Sequence, residues 1–245
     1  MPRATTDSFA PLPLRQLLAN LLRHSELDVP GQKAILALSG PVAEVQLGAD
    51  FLRPNTTSVH AYLVARGIVA RFDEGKDERR ATTALFVPGD LCNLQGIAHP
   101  MTTWGLSAFT PCSVIHIPHA ALQSVMNKHS AIRSAMWAEL AIDLSIQAKW
   151  AASAASKNSL ARTAHLLCEL AWRMERAGKG DRGSFTLKTS QTQLARVVGL
   201  NPVHLNRVLR DLREQGLITT DAGTIGLTNF GQLSDLAQFD PAYLI

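Results

Sequence analysis

The stretch QTQLARVVGLNPVHLNRVLRDLREQGLI, residues 191–218, decides how the rest of the chain is read. Residues 190–198 are predicted as a short first helix. Ser190 is its N-cap, and Leu194, Val197 and Val198 form its apolar face. Gly199 supplies the left-handed residue that ends it, and Leu200 is the buried pin of the turn. Asn201 then caps a second helix, and Pro202 takes a first-turn position where its missing N–H costs nothing. Leu205, Val208, Leu209 and Leu212 recur at helical spacing as the inner face. Val203, His204, Asn206, Arg207 and Arg210 are left pointing outward. A short helix, a glycine turn and a capped second helix with an outward polar face make a helix-turn-helix.

Such a second helix enters the DNA major groove, where Arg bonds guanine and an aliphatic side chain touches a thymine methyl. Base readout is therefore assigned to Val203, His204, Asn206 and Arg207. The following GLITTDAGTIGLT, residues 216–228, alternates apolar positions around a glycine turn and is predicted as a two-stranded wing against the backbone. Phosphate contact is assigned to Ser190, Asn201, Arg210 and Asp221. The charge distribution agrees. Of a net +4, the excess lies in residues 157–221, which hold eleven Lys/Arg against six Asp/Glu. A helical hairpin with surface arginines and no nucleic-acid role is the plainer alternative.

Moving upstream, residues 119–177 contain no Pro or Gly and are rich in Ala, Leu, Met, Glu and Gln, so they read as helical. Ile132, Met136, Leu140 and Leu144 recur at i+4, beside a second stripe of Ala135, Ile142, Ile146 and Trp150. Two stripes on one helix suit packing on the chain's own sheet and on a second copy. Ile132, Met136, Leu140, Ile142, Ile146 and Trp150 are accordingly assigned to a dimer interface; the alternative is one helix buried in a single core. The ASAASKNS stretch at 152–159 reads as a hinge before a helix over 160–176.

Residues 42–117 are strand-like. The runs VAEVQL, VHAYLV, GIVARF, ATTALFV and SAFTPCSVIHI are punctuated by Gly67, the turn DEGKD at 73–77, Pro88-Gly89-Asp90 and Pro111. Short strands at this spacing indicate a sandwich, barrel or roll. Before them, Asp28 and Pro30 mark the start of a short helix.

Composition excludes several classes. With 46% hydrophobic and 18% charged residues the chain has ordinary globular make-up, and no run approaches the length of a membrane span. The first 25 residues lack a continuous apolar core and a small-residue cleavage site, so a cytoplasmic location without secretion is expected. Cys92, Cys112 and Cys168 are widely spaced, which suits reduced thiols and not a disulfide framework or a metal site. No Gly-rich phosphate loop, H-E-x-x-H or G-x-S-x-G motif is present, so an enzyme is not expected.

Together these motifs resemble the Crp/Fnr family of bacterial transcription regulators. The resemblance rests on residues 191–218, on YLVARGIVARF, DEGKDE and FVPGDL upstream, and on SLARTAHLLCELAWRM between, and it covers roughly residues 26–228. It implies an α+β chain with an N-terminal cyclic-nucleotide-binding-type β-roll (jelly roll), a long dimerisation helix and a C-terminal winged helix-turn-helix. The corresponding divisions are residues 1–125, 126–156 and 157–245. The implied partners are double-stranded DNA, a second copy of the chain, and RNA polymerase.

The departures bear on the effector. Where cyclic-AMP-binding members carry a Gly-Glu pair that holds the ribose, this chain has Asn93 and Leu94. Where they carry an Arg-Ser pair for the cyclic phosphate, it has Thr102 and Thr103. Without that carboxylate and that cation a cyclic nucleotide loses its strongest contacts. There is no cysteine before Cys92, so the N-terminal cluster of oxygen-sensing members is missing. His60, His99 and His116 lie in the β-roll; each is read as an ordinary histidine, and a haem-binding variant stays open as an alternative. The effector pocket is placed at Gly89, Asp90, Asn93, Leu94, Thr102, Thr103 and Trp104, with the effector unknown and no cofactor. The reading is a homodimeric regulator of an inverted-repeat operator. Two further alternatives stay open: a cyclic-nucleotide-responsive regulator with an altered pocket, and an interaction module of the same fold that binds no DNA.

Overall fold

The computed structural model describes residues 11–75 and 80–245. Two helices come first, α1 (Leu12–Leu21) and α2 (Val29–Leu36). The second starts where Asp28 and Pro30 place it, with the Asp28 carboxylate accepting from the Gly31 N–H at 2.8 Å. The first was not foreseen. Its Leu14, Leu17, Leu18 and Leu21 are buried against the sheet that follows.

That sheet is a sandwich of short antiparallel strands. They run β1 (Val42–Val45), β2 (Asp50–Leu52), β3 (Thr56–Thr57), β4 (His60–Arg66), β5 (Val69–Glu74), β6 (Arg80–Phe86), β7 (Leu91–Cys92), β8 (Met101–Thr102), β9 (Gly105–Ala108) and β10 (Cys112–Pro118). One layer has the order β1-β10-β4-β7 and the other β2-β9-β5-β6, with β3 paired to β8. The non-sequential order is the jelly-roll signature expected from the strand spacing. Gly67 makes the turn from β4 to β5 at φ +77°. A Cβ there would lie 2.3 Å from the Pro111 carbonyl oxygen, so only glycine fits. The runs on either side of the DEGKD turn form the β5–β6 hairpin, in which Glu74 pairs with Arg80; residues 76–79 lie outside the described residues.

The helical zone divides into α3 (His119–Lys128), α4 (Ser130–Ser156) and α5 (Ser159–Arg176). The second break falls inside the predicted hinge. The first, at His129, has extended backbone and no Gly or Pro to announce it. The last zone contains β11 (Gly180–Asp181), β12 (Ser184–Thr186), α6 (Gln191–Val197), α7 (Pro202–Glu214), β13 (Ile218–Asp221), β14 (Thr224–Leu227) and α8 (Phe230–Ala237). The wing is four-stranded, not two-stranded, in the order β11-β12-β14-β13. The FTLK run that read as an isolated β-like piece supplies β12, which pairs Phe185 with Ile225.

Apolar packing joins the two ends of the chain. Ile68, Ala70, Leu85, Val87 and Phe109 of the sandwich share one core with Leu166, Leu167 and Leu170 of α5 and Leu194, Leu205 and Leu212 of the helix-turn-helix. Each such Ile, Leu, Val or Phe side chain, fully buried, contributes about 1.5–3 kcal/mol relative to exposure.

Candidate nucleic-acid interface and sensor cleft

The helix-turn-helix forms through local caps. The Ser190 hydroxyl accepts from the Gln193 N–H at 3.1 Å, and the Asn201 side chain accepts from the His204 N–H at 2.8 Å. Gly199 adopts φ +64° with open space around it, so its role is conformational. The Leu200 N–H then bonds the Ala195 carbonyl at 2.9 Å, closing α6. Leu205, Val208, Leu209 and Leu212 are buried on the inner face of α7.

All four side chains assigned to base readout are exposed on the opposite side, Val203 at 64%. They are not equally free. The Asn206 amide donates to Gln191 Oε1 at 2.7 Å, and His204 Nε2 meets the Ser159 hydroxyl at 3.2 Å. Arg207 has no hydrogen bond or ion pair among the described residues. The phosphate set is more divided. Ser190 and Asn201 each spend one acceptor lone pair on a cap and keep their donors, the O–H and the NH₂, for a phosphate. Arg210 faces Glu214 at 3.7 Å. Asp221 is exposed at the wing tip before the Ala222–Gly223 turn, where a carboxylate repels phosphate; the assignment to that residue is withdrawn.

The seven residues placed in one effector pocket do not line one cavity. Gly89, at φ +97°, is covered by Gln16 and Asn20 of α1. Asp90 accepts from the Val87 N–H at 2.8 Å and from Arg173 at 2.8 Å. Burial raises its carboxyl above the usual range against the opposing pull of that guanidinium. Asn93 is left-handed and buried, its amide donating to the His60 carbonyl. Leu94 packs in the core beside α1, and the Thr102 hydroxyl donates to the Thr56 carbonyl. Asp90 and Leu94 line a small cavity of about 90 Å³ among α1, α4 and α5, while Thr103 and Trp104 face a separate cleft of about 440 Å³ between the sandwich and α4.

The decisive group in that cleft is one that sequence reasoning missed. Arg71 on β5 is 4% exposed, donates through Nε to Thr83 at 3.2 Å and through Nη1 to Asp143 of α4 at 3.0 Å. Its guanidinium lies 5.5 Å from the Trp104 ring centroid and 5.7 Å from that of Phe86. The signal was available: a charged residue inside the apolar run GIVARF has to find a buried partner.

A second buried network ties the sandwich to α5. Arg173 bridges Asp90 and Glu169, and Glu169, fully buried, also accepts from the Trp150 indole at 2.8 Å and the Tyr243 hydroxyl at 2.7 Å. His165 extends it, facing Tyr243 through Nε2 at 3.1 Å and Lys157 through Nδ1 at 3.0 Å. Burial, with Lys157 adding to it, lowers the His165 pKa to about 4. The ring is therefore neutral and accepts from the ammonium. Of the three β-roll histidines, His60 and His116 pack edge to face with ring centroids 5.8 Å apart, while His99 bonds the Met101 carbonyl.

The dimer assignment needs correction. Ile132, Met136 and Ile146 are buried within the chain's own cores, and Leu140, Ile142 and Trp150 are partly buried against them. The i+4 stripe recognised in the sequence faces inward from Ile132 to Leu140, but its last member, Leu144, does not. The outward face of α4 instead carries Trp137, at 61% exposed, Leu144, at 67%, and a row of alanines.

Comparison with known proteins agrees with this architecture. A cyclic nucleotide-binding domain model matches residues 44–129, and a Crp-like helix-turn-helix domain model matches residues 161–236. No curated protein sequence matches the chain. Among solved structures, FixK2 from Bradyrhizobium japonicum is 22% identical with a TM-score of 0.73, covering 81% of this chain and 98% of that one. The c-di-GMP responsive global regulator CLP of Xanthomonas campestris is 23% identical with a TM-score of 0.62, covering 82% and 100%. A CRP/FNR family transcriptional regulator from Thermus thermophilus is 18% identical with a TM-score of 0.59, covering 81% and 99%. These likenesses speak to the fold, and the two domain models in this order speak to the lineage. The chain belongs to the Crp/Fnr family of transcription regulators, with a helix-turn-helix DNA-binding domain behind a cyclic nucleotide-binding-type β-roll.

Proposed function

We propose that the chain acts in the cytoplasm as a homodimer that reads an inverted-repeat DNA operator and answers to an effector other than cyclic AMP. The observation that carries the reading is the outward face of α7, where Val203 and Arg207 stand exposed near a capped helix start. An unpaired guanidinium there suits the O6 and N7 of guanine, and the valine suits a thymine methyl. Two such helices related by a two-fold axis enter successive major grooves about 34 Å apart.

Support for the dimer comes from α4. Trp137, Ala141, Leu144, Ala148, Ala151 and Ala155 are all exposed and alternate in steps of four and three along the helix. This is a heptad seam, and its small residues let two helices approach closely. The argument against cyclic AMP is the cleft chemistry. Asn93, Leu94, Thr102 and Thr103 offer neither a ribose-binding carboxylate nor a phosphate-binding cation, and the cation that is present, Arg71, shares its charge with Asp143 and keeps only Nη2 unpaired. RNA polymerase contact belongs to this reading as the route to activation.

Selection of bound genomic fragments, followed by motif alignment, tests the reading. The expected result is an inverted repeat with half-sites one helical turn apart. A pool with no common motif would instead favour a protein-interaction module of the same fold. Leu144→Lys, placing like charges across the seam, should shift the sedimenting species towards monomer. Unchanged mass would remove α4 as the interface.

A further inference from the structure

The outward face of α7 has an internal order. Val203, Asn206, Arg207 and Arg210 stand at i, i+3, i+4 and i+7, so they share one stripe of the helix. His204 lies beside that stripe and meets the Ser159 hydroxyl at the start of α5. Within the stripe, Asn206 differs from Arg207 in having a partner, and that partner comes from the other helix. The Asn206 amide donates to Oε1 of Gln191, the first residue of α6, at 2.7 Å across 15 positions of sequence. Both side chains are exposed.

The backbone on both sides of this contact is fixed by caps, Ser190 for α6 and Asn201 for α7. The neighbouring amide is committed elsewhere. Gln193 accepts from the Thr189 hydroxyl at 2.9 Å and donates to the Ala108 carbonyl at 3.3 Å. Gln191 is thus the glutamine of that turn that faces α7.

An unrestrained Asn amide can turn over and exchange its oxygen with its nitrogen, so it pairs with several base edges. Here one N–H is held by Gln191, which decides which end of the amide is nitrogen. What remains is the other N–H and Oδ1, and Oδ1 has no partner among the described residues. A donor beside an acceptor fits adenine, whose major-groove edge has the N7 acceptor next to the N6 donor. Guanine presents two acceptors there and cytosine a donor.

We infer that Gln191 is a specificity-determining positioning residue, which holds the Asn206 amide so that Oδ1 and the remaining N–H meet N6 and N7 of one adenine in each half-site. The inference rests on the reading of α7 as a base-reading helix and extends it to a residue of α6. Because the amide is oriented before DNA arrives, less ordering is left to binding.

Selection of the full chain on randomised DNA, followed by titration of single-base variants of the selected site, tests it. The parent should select an inverted repeat in which one position of each half-site prefers adenine by about tenfold, and Asn206→Ala should abolish that preference. Gln191→Ala, at an exposed position, should weaken the same preference by about threefold or more, with the melting curve and the preference set by Arg207 unchanged. Gln191→Glu keeps the oxygen that accepts from Asn206. It should retain the adenine preference while its charge weakens binding to every sequence alike. The double variant should discriminate no less than Asn206→Ala alone, since the two residues act as one unit. Adenine preference that survives Gln191→Ala, equal loss of it in Gln191→Glu, or a further loss in the double variant would overturn the inference. A repeat in which no position responds to Asn206→Ala overturns it as well and leaves the regulator reading standing. A parent chain that selects no repeat overturns both.

Discussion

The outward face of α7 and the effector pocket inferred from sequence are both sets of polar residues on a family frame, yet the fold treats them oppositely. On α7 the backbone is satisfied by caps and the inner leucines fill the core, so Arg207 is left free for a partner. In the β-roll, Asp90, Asn93 and Thr102 are engaged by the protein itself. A binding residue is one whose hydrogen-bonding capacity remains after folding, and position within a family motif does not decide this.

The contrast is broken most severely at Arg173. Arg173→Met leaves Asp90 and Glu169 buried without their cation, at a cost of roughly 3–5 kcal/mol. Chemical denaturation measures it, and a loss below about 1 kcal/mol would mean that the network is not structural. The pH dependence comes next. The His165 pKa falls from 6.5 to about 4 on folding, so the unfolded chain binds the extra proton between these values. Stability should therefore fall as pH drops from about 6.5 to about 4, with a contribution of up to about 3 kcal/mol. His165→Gln should flatten that slope. A variant whose stability tracks the parent's across the window would show that other groups carry it.

On the α7 side the effects are smaller and specific. Arg207→Ala should cost about 1–3 kcal/mol on the selected operator and relax preference at one base pair. Equal loss on random DNA would reduce Arg207 to a phosphate contact. Ser190→Ala removes a helix cap at about 1 kcal/mol, read as a lowered melting midpoint, and should leave base preference intact. Altered preference in that variant would show that Ser190 is more than a cap.

Much of the architecture was legible because its signals are local. Asp28, Ser190, Asn201, Pro202 and Gly199 each act within three or four residues, and each does in the structure what its chemistry requires. The break at His129 was not, since extended backbone at a non-glycine residue has no compositional mark. The candidate pocket failed for a different reason. Arg173 meets Asp90 across 83 positions and Arg71 meets Asp143 across 72, and no window of sequence holds both partners. The stripe on α4 was found with the right period and the wrong face, because a helix carrying apolar residues on two sides does not say which one the sheet covers.

The core shared by the sandwich, α5 and the helix-turn-helix has a consequence for how the molecule comes apart. With Ile68 and Phe109 packed in the same cluster as Leu170 and Leu205, the C-terminal half has no interior of its own to lose independently, although the sandwich keeps two further apolar clusters. The halves should melt as one cooperative unit, in a single calorimetric transition. Native-state amide exchange should give the buried middle of α5 the slowest rates in the chain, because that helix opens only when everything around it has opened.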